Sequence, residues 1–363
     1  MKIGILTFPN SPSYGATLQM NALYYALQNL GVDVEIINYC NTYMAQKKHI
    51  KQQRVNPLKT ALIGLLDLPA KKKFLAFERE LNFFPNKILC EKDNLKNIAD
   101  RFDYLICGSD QVWNPKVTGN DLNYFFSFCG DGFKKISYAA SFGVNELDDS
   151  YAQKVKDELK TFSRISVREE QGAKIVGDLL GNNCEIVLDP TMLIPQSEWR
   201  SREMKVSGLP ERYIARFIFN HDDEVEKRIE ELGKQTGLPI VTVGGTLISR
   251  LKNKLYTGPI GPREWLYVLD HADYVVTDSF HGAAFSIIFH KNAFFSLASS
   301  TNSRLKTLLK TFGLMNRVIP ETDDDTDIDY GFVQKVMDEK RENSLEFLKK
   351  AINLEDIYEE SAT

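Results

Sequence analysis

At 363 residues the chain is longer than one ordinary domain, and its 43% hydrophobic and 26% charged content is that of a globular protein, which excludes a disordered polymer and leads us to expect two compact α/β domains. A formal net charge of −4 argues against a nucleic-acid-coating protein, which would present a basic face, so no nucleic-acid partner is expected. The five cysteines (Cys40, Cys90, Cys107, Cys129, Cys184) are scattered, odd in number and without a C-x-x-C pair, which indicates neither a disulfide frame nor a zinc knuckle and suits a reducing compartment.

The chain opens on a strand-like run, KIGILTF, without the charged and apolar regions of a secretory signal, so a cytoplasmic location is expected. The first β–α loop, FPNSPSYGATLQ, puts Gly15 at a helix entrance but contains neither G-x-G-x-x-G nor a P-loop, so no dinucleotide or nucleoside triphosphate site is signalled. Leu23, Ala26, Leu27 and Leu30 then follow helical spacing, with Gly31 as a C-cap and VEIINY as the next strand. Residues 44–80 interrupt this alternation. Lys47, Lys48, Lys51, Arg54, Lys59, Lys71, Lys72, Lys73 and Arg79 surround the apolar run LKTALIGLLDL, which reads as a basic helical insertion, either solvated or lying on an anionic membrane surface. No run of about 18 apolar residues spans a bilayer.

After the strand YLICGS, the loop ICGSDQVWNP offers Ser109, Asp110, Gln111, Trp113 and Asn114, hydrogen-bonding groups beside an aromatic that suit a sugar, although Trp113 could equally be core. KISYAAS, RISVRE and EIVLDP continue the pattern. In RISVREEQ, Ile165 and Val167 face one way and Ser166 and Arg168 the other. At the strand's carboxyl end Arg168 can fork onto a carboxylate or phosphate, or pair with Glu169 or Glu170. Prolines 190 and 195 in LDPTMLIPQSEW mark a domain boundary at about 190 to 210. It divides an N-terminal domain, 1–200, from a C-terminal one, 201–331, and places a cleft where the carboxyl ends of two doubly wound sheets face each other.

The second half repeats strand and helix with YIARFIF, PIVTVG, YVVTDS and NAFFSL. In VVTDSFHGAAFSIIF a buried strand ends in a polar turn and a helix of small residues begins, so His281 lies where free backbone N–H groups and the positive helix end converge. That is an anion site with a group able to move a proton near neutral pH, and Gly282 allows close approach to the backbone. The alternative is that His281 only caps its helix. His49, His221, His271 and His290 read as structural. In ASSTNSRLKTLLKTFGL, Arg304 lies in the first turn of a helix capped by Asn302 or Ser303. A cation is disfavoured there, which points to a nearby anion, either a ligand or a carboxylate. The acidic loop DDDTDID reads as a solvated turn rather than a metal site, and an amphipathic helix from about Phe332 to Ile352 is expected to bring 332–363 back towards the first domain.

Taken in order, SYGATLQMNAL, FDYLICGSDQVWNP, ISYAASFG, ISVREEQGAKIV, VLDPTML, GPREWLYVLDHADYVVTDSFHGAAFSIIFHKN and SRLKTLLKTFGL resemble the polysaccharide pyruvyltransferase family across nearly the whole chain. The resemblance implies two Rossmann-like domains in a GT-B-like arrangement with an interdomain cleft. It implies phosphoenolpyruvate as donor and a sugar or lipid-linked oligosaccharide as acceptor, joined as a pyruvate ketal during cell-surface polysaccharide synthesis, with no cofactor or metal. It makes His281 catalytic and puts Arg168 and Arg304 on the donor. Beside them we expect Ser279 and Gly282 on the donor, and Tyr14, Gly15, Ser109, Asp110, Trp113 and Asn114 on the acceptor side. Many relatives read N-Y-G where this chain has Ser13, Tyr14 and Gly15 within an SPS insertion, which bears on acceptor choice. A nucleotide-sugar glycosyltransferase or a silent sugar-binding protein on the same fold are the alternatives.

Overall fold

Runs of branched and aromatic residues separated by amphipathic stretches fold into two parallel sheets. The structure is a computed structural model that describes residues 1–45, 68–90, 93, 95–130, 132–244, 255–297, 302–319 and 327–354. The first sheet holds β1 (Lys2–Leu6), β2 (Asp33–Tyr39), β3 (Phe83–Leu89), β4 (Tyr104–Cys107), β5 (Lys134–Ala140), β6 (Phe162–Val167) and β7 (Glu185–Ile186), in the order β3-β2-β1-β4-β5-β6-β7. The second holds β8 (Ile214–Phe217), β9 (Ile240–Thr242), β10 (Tyr274–Thr277), β11 (Asn292–Ser296) and β12 (Val318–Ile319), in the order β12-β11-β10-β8-β9. The paired strands run parallel, with Ile5 opposite Ile106 at the centre of the first sheet and Val276 opposite Arg216 in the second. Central strands are buried on both faces because crossover helices cover both, which is why they read as continuous apolar runs.

The longer helices are α1 (Tyr14–Asn29), α2 (Leu68–Glu78), α3 (Asp149–Leu159), α4 (Glu170–Leu180), α5 (Asp223–Thr236), α6 (Pro262–Asp270), α7 (Phe280–Ile288), α8 (Ser303–Thr311) and α9 (Tyr330–Ala351). The apolar spacing predicts one buried stripe on α1, but the helix is enclosed on nearly every side because it also meets α6 and α7 of the other half. Several of its buried polar groups are matched accordingly, although Asn21 Nδ2 is buried without a hydrogen bond. Gln19 donates from Nε2 to Thr7 Oγ1 (2.9 Å) and accepts from the Ser109 backbone N–H (3.0 Å), and Asn21 Oδ1 accepts from Arg202 (3.1 Å). One apolar cluster therefore runs from Ile5 and Leu18 to Val275 and Phe285.

Of the basic insertion, residues 46–67 lie outside the described residues; its end is α2. Phe74 and Phe77 are buried, Phe74 sits 5.2 Å from the Tyr14 ring, and Lys73 Nζ lies 2.6 Å from Glu264 Oε1 in α6. The helix thus clamps the two halves together, and Lys73 is committed to that clamp. At the other end of the chain, α9 reaches the first half. Ser344 Oγ accepts the Leu188 N–H (3.0 Å), and Arg341 Nε donates to Met192 O (2.9 Å). Among the described residues no helix is long and apolar enough to cross a membrane.

Candidate active site between the two sheets

Strand order reverses between β1 and β4 in the first sheet and between β8 and β10 in the second, and the loops leaving those four strands at their carboxyl ends open a crevice at each reversal. Together they enclose a cavity of about 420 Å³, a size typical of small-ligand sites. Tyr14 and Gly15 line it from the start of α1, Asp110 and Gln111 from after β4, and Phe219 and Asn220 from after β8. Asp278 to His281 follow β10, and Asn302, Arg304 and Leu305 begin α8.

The turn from β10 into α7 is built by short side chains. Thr277 Oγ1 donates to Phe217 O (2.8 Å) and accepts the Ser279 N–H (3.0 Å), while Ser279 Oγ, as N-cap, accepts the Gly282 N–H (3.3 Å). A Cβ on Gly282 would fall 2.3 Å from Thr277 Oγ1. This corrects the expectation that Gly282 opens its backbone to a ligand: the glycine lets α7 lie against β10, and its N–H is already taken. Asp278 shapes the facing loop, accepting the N–H groups of Phe219 (2.8 Å) and Asn220 (2.9 Å).

His281 projects from the first turn of α7 across to the other half, where a Cβ on Gly15 would fall 2.0 Å from its Nδ1. Gly15 is therefore the seat of the imidazole. On the far side His281 Nε2 lies 3.6 Å from Asp189 Oδ2, within ion-pair range but beyond a hydrogen bond. Asp189 is fully enclosed. Its Oδ1 accepts Thr191 N–H (3.0 Å) and Oγ1–H (2.7 Å), and its Oδ2 accepts Arg168 Nη1 (2.6 Å) and Ser109 Oγ (3.3 Å). Burial alone would raise its pKa, but His281, Arg168 and Thr191 outweigh this and hold the carboxyl well below the usual carboxylate range.

Arg168 is as deeply buried, its guanidinium carbon 4.2 Å over the Phe280 ring and its Nη2 3.6 Å from Asp110 Oδ1. It does not line the 420 Å³ cavity; it lies behind Phe280 against a second cavity of about 470 Å³ between β7, α8 and α9. Burial would lower its pKa, but Asp189, Asp110 and Glu169 raise it. Arg304 lines the front cavity, and there burial, followed by repulsion from Arg168, pushes the pKa down against the pull of Glu169. Glu169 accepts Ser141 Oγ (2.9 Å) with one oxygen, and burial pushes its pKa up against the two arginines.

Buried polar atoms almost always find partners. Here Arg168 Nε and Nη2, Arg304 Nε and His281 Nε2 are buried without a hydrogen bond. Arg304 and His281 line the front cavity and Arg168 lies behind Phe280, so the front cavity offers Arg304 Nε and His281 Nε2 to acceptor atoms from a ligand.

Of the residues expected on the acceptor side, the structure brings Tyr14, Gly15 and Asp110 to the cavity and turns the others inward. Trp113 is fully buried, stacked on Phe125 at 4.9 Å with its indole N–H on Tyr124 O (3.1 Å), so it is core and cannot meet a sugar. Asn114 caps a short helix through Lys116 N–H (2.9 Å), and buried Ser109 supports Asp189. Tyr14 offers a ring edge only, since it stacks on Trp265 and donates its hydroxyl to Ile260 O (3.2 Å). Asp189, Asp278 and Phe219 were not singled out from the sequence, and Glu169 was named only as a pairing partner for Arg168. Asp189 caps the turn that follows it through Thr191, and the folded chain sets its second oxygen between Arg168 and His281. Away from the cavity, Glu203, Asp270 and His271 are the one group among the described residues close enough to share a metal ion. Asp270 is already held bidentately by Arg200, so this is an ion-pair cluster.

Two parallel-stranded, helix-covered sheets meeting at a cavity built from both strand-order reversals define an α/β protein of the GT-B type. The family model for polysaccharide pyruvyl transferases matches residues 14–300, and the chain belongs to that family, a transferase family. Among solved structures it is similar to UDP-GlcNAc 2-epimerase of Methanocaldococcus jannaschii in complex with UDP-GlcNAc and UDP (14% identity, 94% of each chain, TM-score 0.50). It is also similar to HepE of Anabaena in complex with UDP and glucose (9% identity, 100% of each chain, TM-score 0.49) and to the Escherichia coli ADP-heptose lps heptosyltransferase II (12%, 98% of this chain and 100% of that one, TM-score 0.39). At such identities the likeness concerns the fold alone. No curated protein matches the sequence.

Proposed function

We propose that the chain transfers the pyruvyl group of phosphoenolpyruvate to a pair of sugar hydroxyls, forming a ketal on a cell-surface polysaccharide unit in the cytoplasm. Residues 1–200 and 201–331 act as the two domains, and of 332–363 the helix α9 straps them together, while 355–363 lie outside the described residues. The observation that carries this reading is the pair of unsatisfied buried nitrogens on residues lining the front cavity, Arg304 Nε and His281 Nε2, which suits a small anionic donor. Membership of the family supports the same donor and a saccharide acceptor. A lipid-linked acceptor, with the exposed Lys72 of α2 near an anionic membrane, belongs to the same proposal.

In this scheme His281 gives a proton to the enol methylene carbon, and positive charge develops at the neighbouring carbon. A sugar hydroxyl oxygen bonds to that carbon and loses its proton. The carbon–oxygen bond to phosphate breaks, inorganic phosphate leaves, and the second hydroxyl closes the ketal. Phosphoenolpyruvate and diol thus give ketal and phosphate, without a metal or cofactor. Arg304 holds an anionic end of the donor directly. Arg168 acts from behind Phe280, neutralising Asp189 so that this carboxylate steers His281 without repelling the donor.

The roles separate by measurement. Arg304→Ala should remove a charge-assisted contact of about 1.5 to 3 kcal/mol and weaken phosphoenolpyruvate binding roughly tenfold or more. His281→Ala should leave donor affinity within a few-fold while phosphate release slows by about 10² to 10⁴. Full turnover in His281→Ala, or unchanged donor affinity in Arg304→Ala, would show that the chemistry lies elsewhere.

A further inference from the structure

We infer that Phe219 is the platform on which the acceptor's sugar ring lies, an inference that rests on reading this cavity as the site of ketal formation. Phe219 is 70% exposed, more than any other large hydrophobic residue among those described. A lone exposed apolar side chain needs no explanation. This one is held in place. Asp278, itself only 7% exposed, accepts the backbone N–H of Phe219 with Oδ1 and both the backbone N–H and the side-chain amide of Asn220 with Oδ2 (2.8 to 2.9 Å). The Phe217 ring meets Phe219 edge-on at 4.9 Å, which fixes the direction of the exposed face. An enclosed carboxylate thus anchors a loop whose tip presents an aromatic face at the cavity that also holds His281 and Arg304.

The chemistry assigns that face to the acceptor. Phosphoenolpyruvate is small and anionic, and the guanidinium and imidazole groups answer it. A pyranose has a face of C–H groups, which an aromatic ring covers, and a rim of hydroxyls, which polar neighbours such as Gln111 and Asn220 can meet. The aromatic residue expected for this task, Trp113, is sealed in the core. The platform therefore comes from the second sheet, and it favours hexopyranosides whose stacked face carries no axial hydroxyl.

The test uses the full chain with methyl gluco-, galacto- and mannopyranosides as probes, reading saturation transfer to each sugar, sugar-dependent phosphate release, and phosphoenolpyruvate affinity. Phe219→Ala should raise the KM for the accepted probe by about tenfold and abolish its saturation transfer, with kcat at saturating sugar and donor affinity within about twofold; Phe219→Trp should retain binding. Unchanged sugar binding in Phe219→Ala, or no saturation transfer from wild type to any probe, overturns the platform. Sugar binding that needs Phe219 in a protein that does not bind phosphoenolpyruvate supports the platform and overturns the donor reading instead.

Discussion

The imidazole of His281 keeps its place by contact with a missing side chain. Gly15 lies in the first turn of α1, where alanine is by propensity the better helix former by about 1 kcal/mol. Yet a Cβ there would fall 2.0 Å from His281 Nδ1. Gly15→Ala should therefore displace the imidazole from Asp189 and lower turnover by about 10²-fold or more. The double variant Gly15→Ala, His281→Ala should melt at or above the temperature of Gly15→Ala, since the clash is gone, without regaining activity. A fully active Gly15→Ala would mean that the position of His281 is immaterial. His281 and Gly15 were legible in the sequence because strand-to-helix punctuation marks both. Asp189 was not, because a carboxylate after a strand and before Pro190 reads only as a cap. Trp113 misled because polar neighbours suggest a surface loop, whereas the chain turns its ring onto Phe125.

Elements show the same division. Strands buried on both faces, such as β4 and β10, announce themselves as short apolar runs. Phe83–Leu89 did not, because it contains Pro85, which cannot donate to a ladder; it is tolerated because β3 is the edge of its sheet. The helix α2 was legible as basic and helical but not as a clamp, since that depends on Phe74 and Lys73 meeting Tyr14 and Glu264 in distant parts of the chain. The clamp also encloses a carboxyl. Burial raises the pKa of Glu78 from 4.5 to about 7, against opposing hydrogen bonds from Thr17 and the Asn10 backbone. Between those values the folded chain binds more protons at this site than the unfolded chain, so the site's contribution to stability, complete below pH 4.5, is lost as pH rises to about 7. Relative to Glu78→Gln, wild type should lose urea resistance across that window and change little above it. Parallel curves for the two proteins would contradict this.

At the scale of the whole molecule, a single apolar cluster reaches from the first sheet to the second, and α9 returns to the first half, so the cavity between them has fixed walls. The two-sheet plan followed from alternation of strand and helix alone, but a plan shared with proteins solved in complex with UDP does not choose a donor. That choice belongs to the side chains at the seam, where Arg168 and His281 meet Asp189 and Arg304 lines the cavity, without a glycine-rich nucleotide loop. The most direct measurement is one calorimetric titration of the purified chain with phosphoenolpyruvate beside UDP- and GDP-hexoses. Saturable binding of phosphoenolpyruvate, weakened roughly tenfold or more by Arg304→Ala, with no heat from either nucleotide sugar, is the predicted result. Binding of a nucleotide sugar without binding of phosphoenolpyruvate would contradict it.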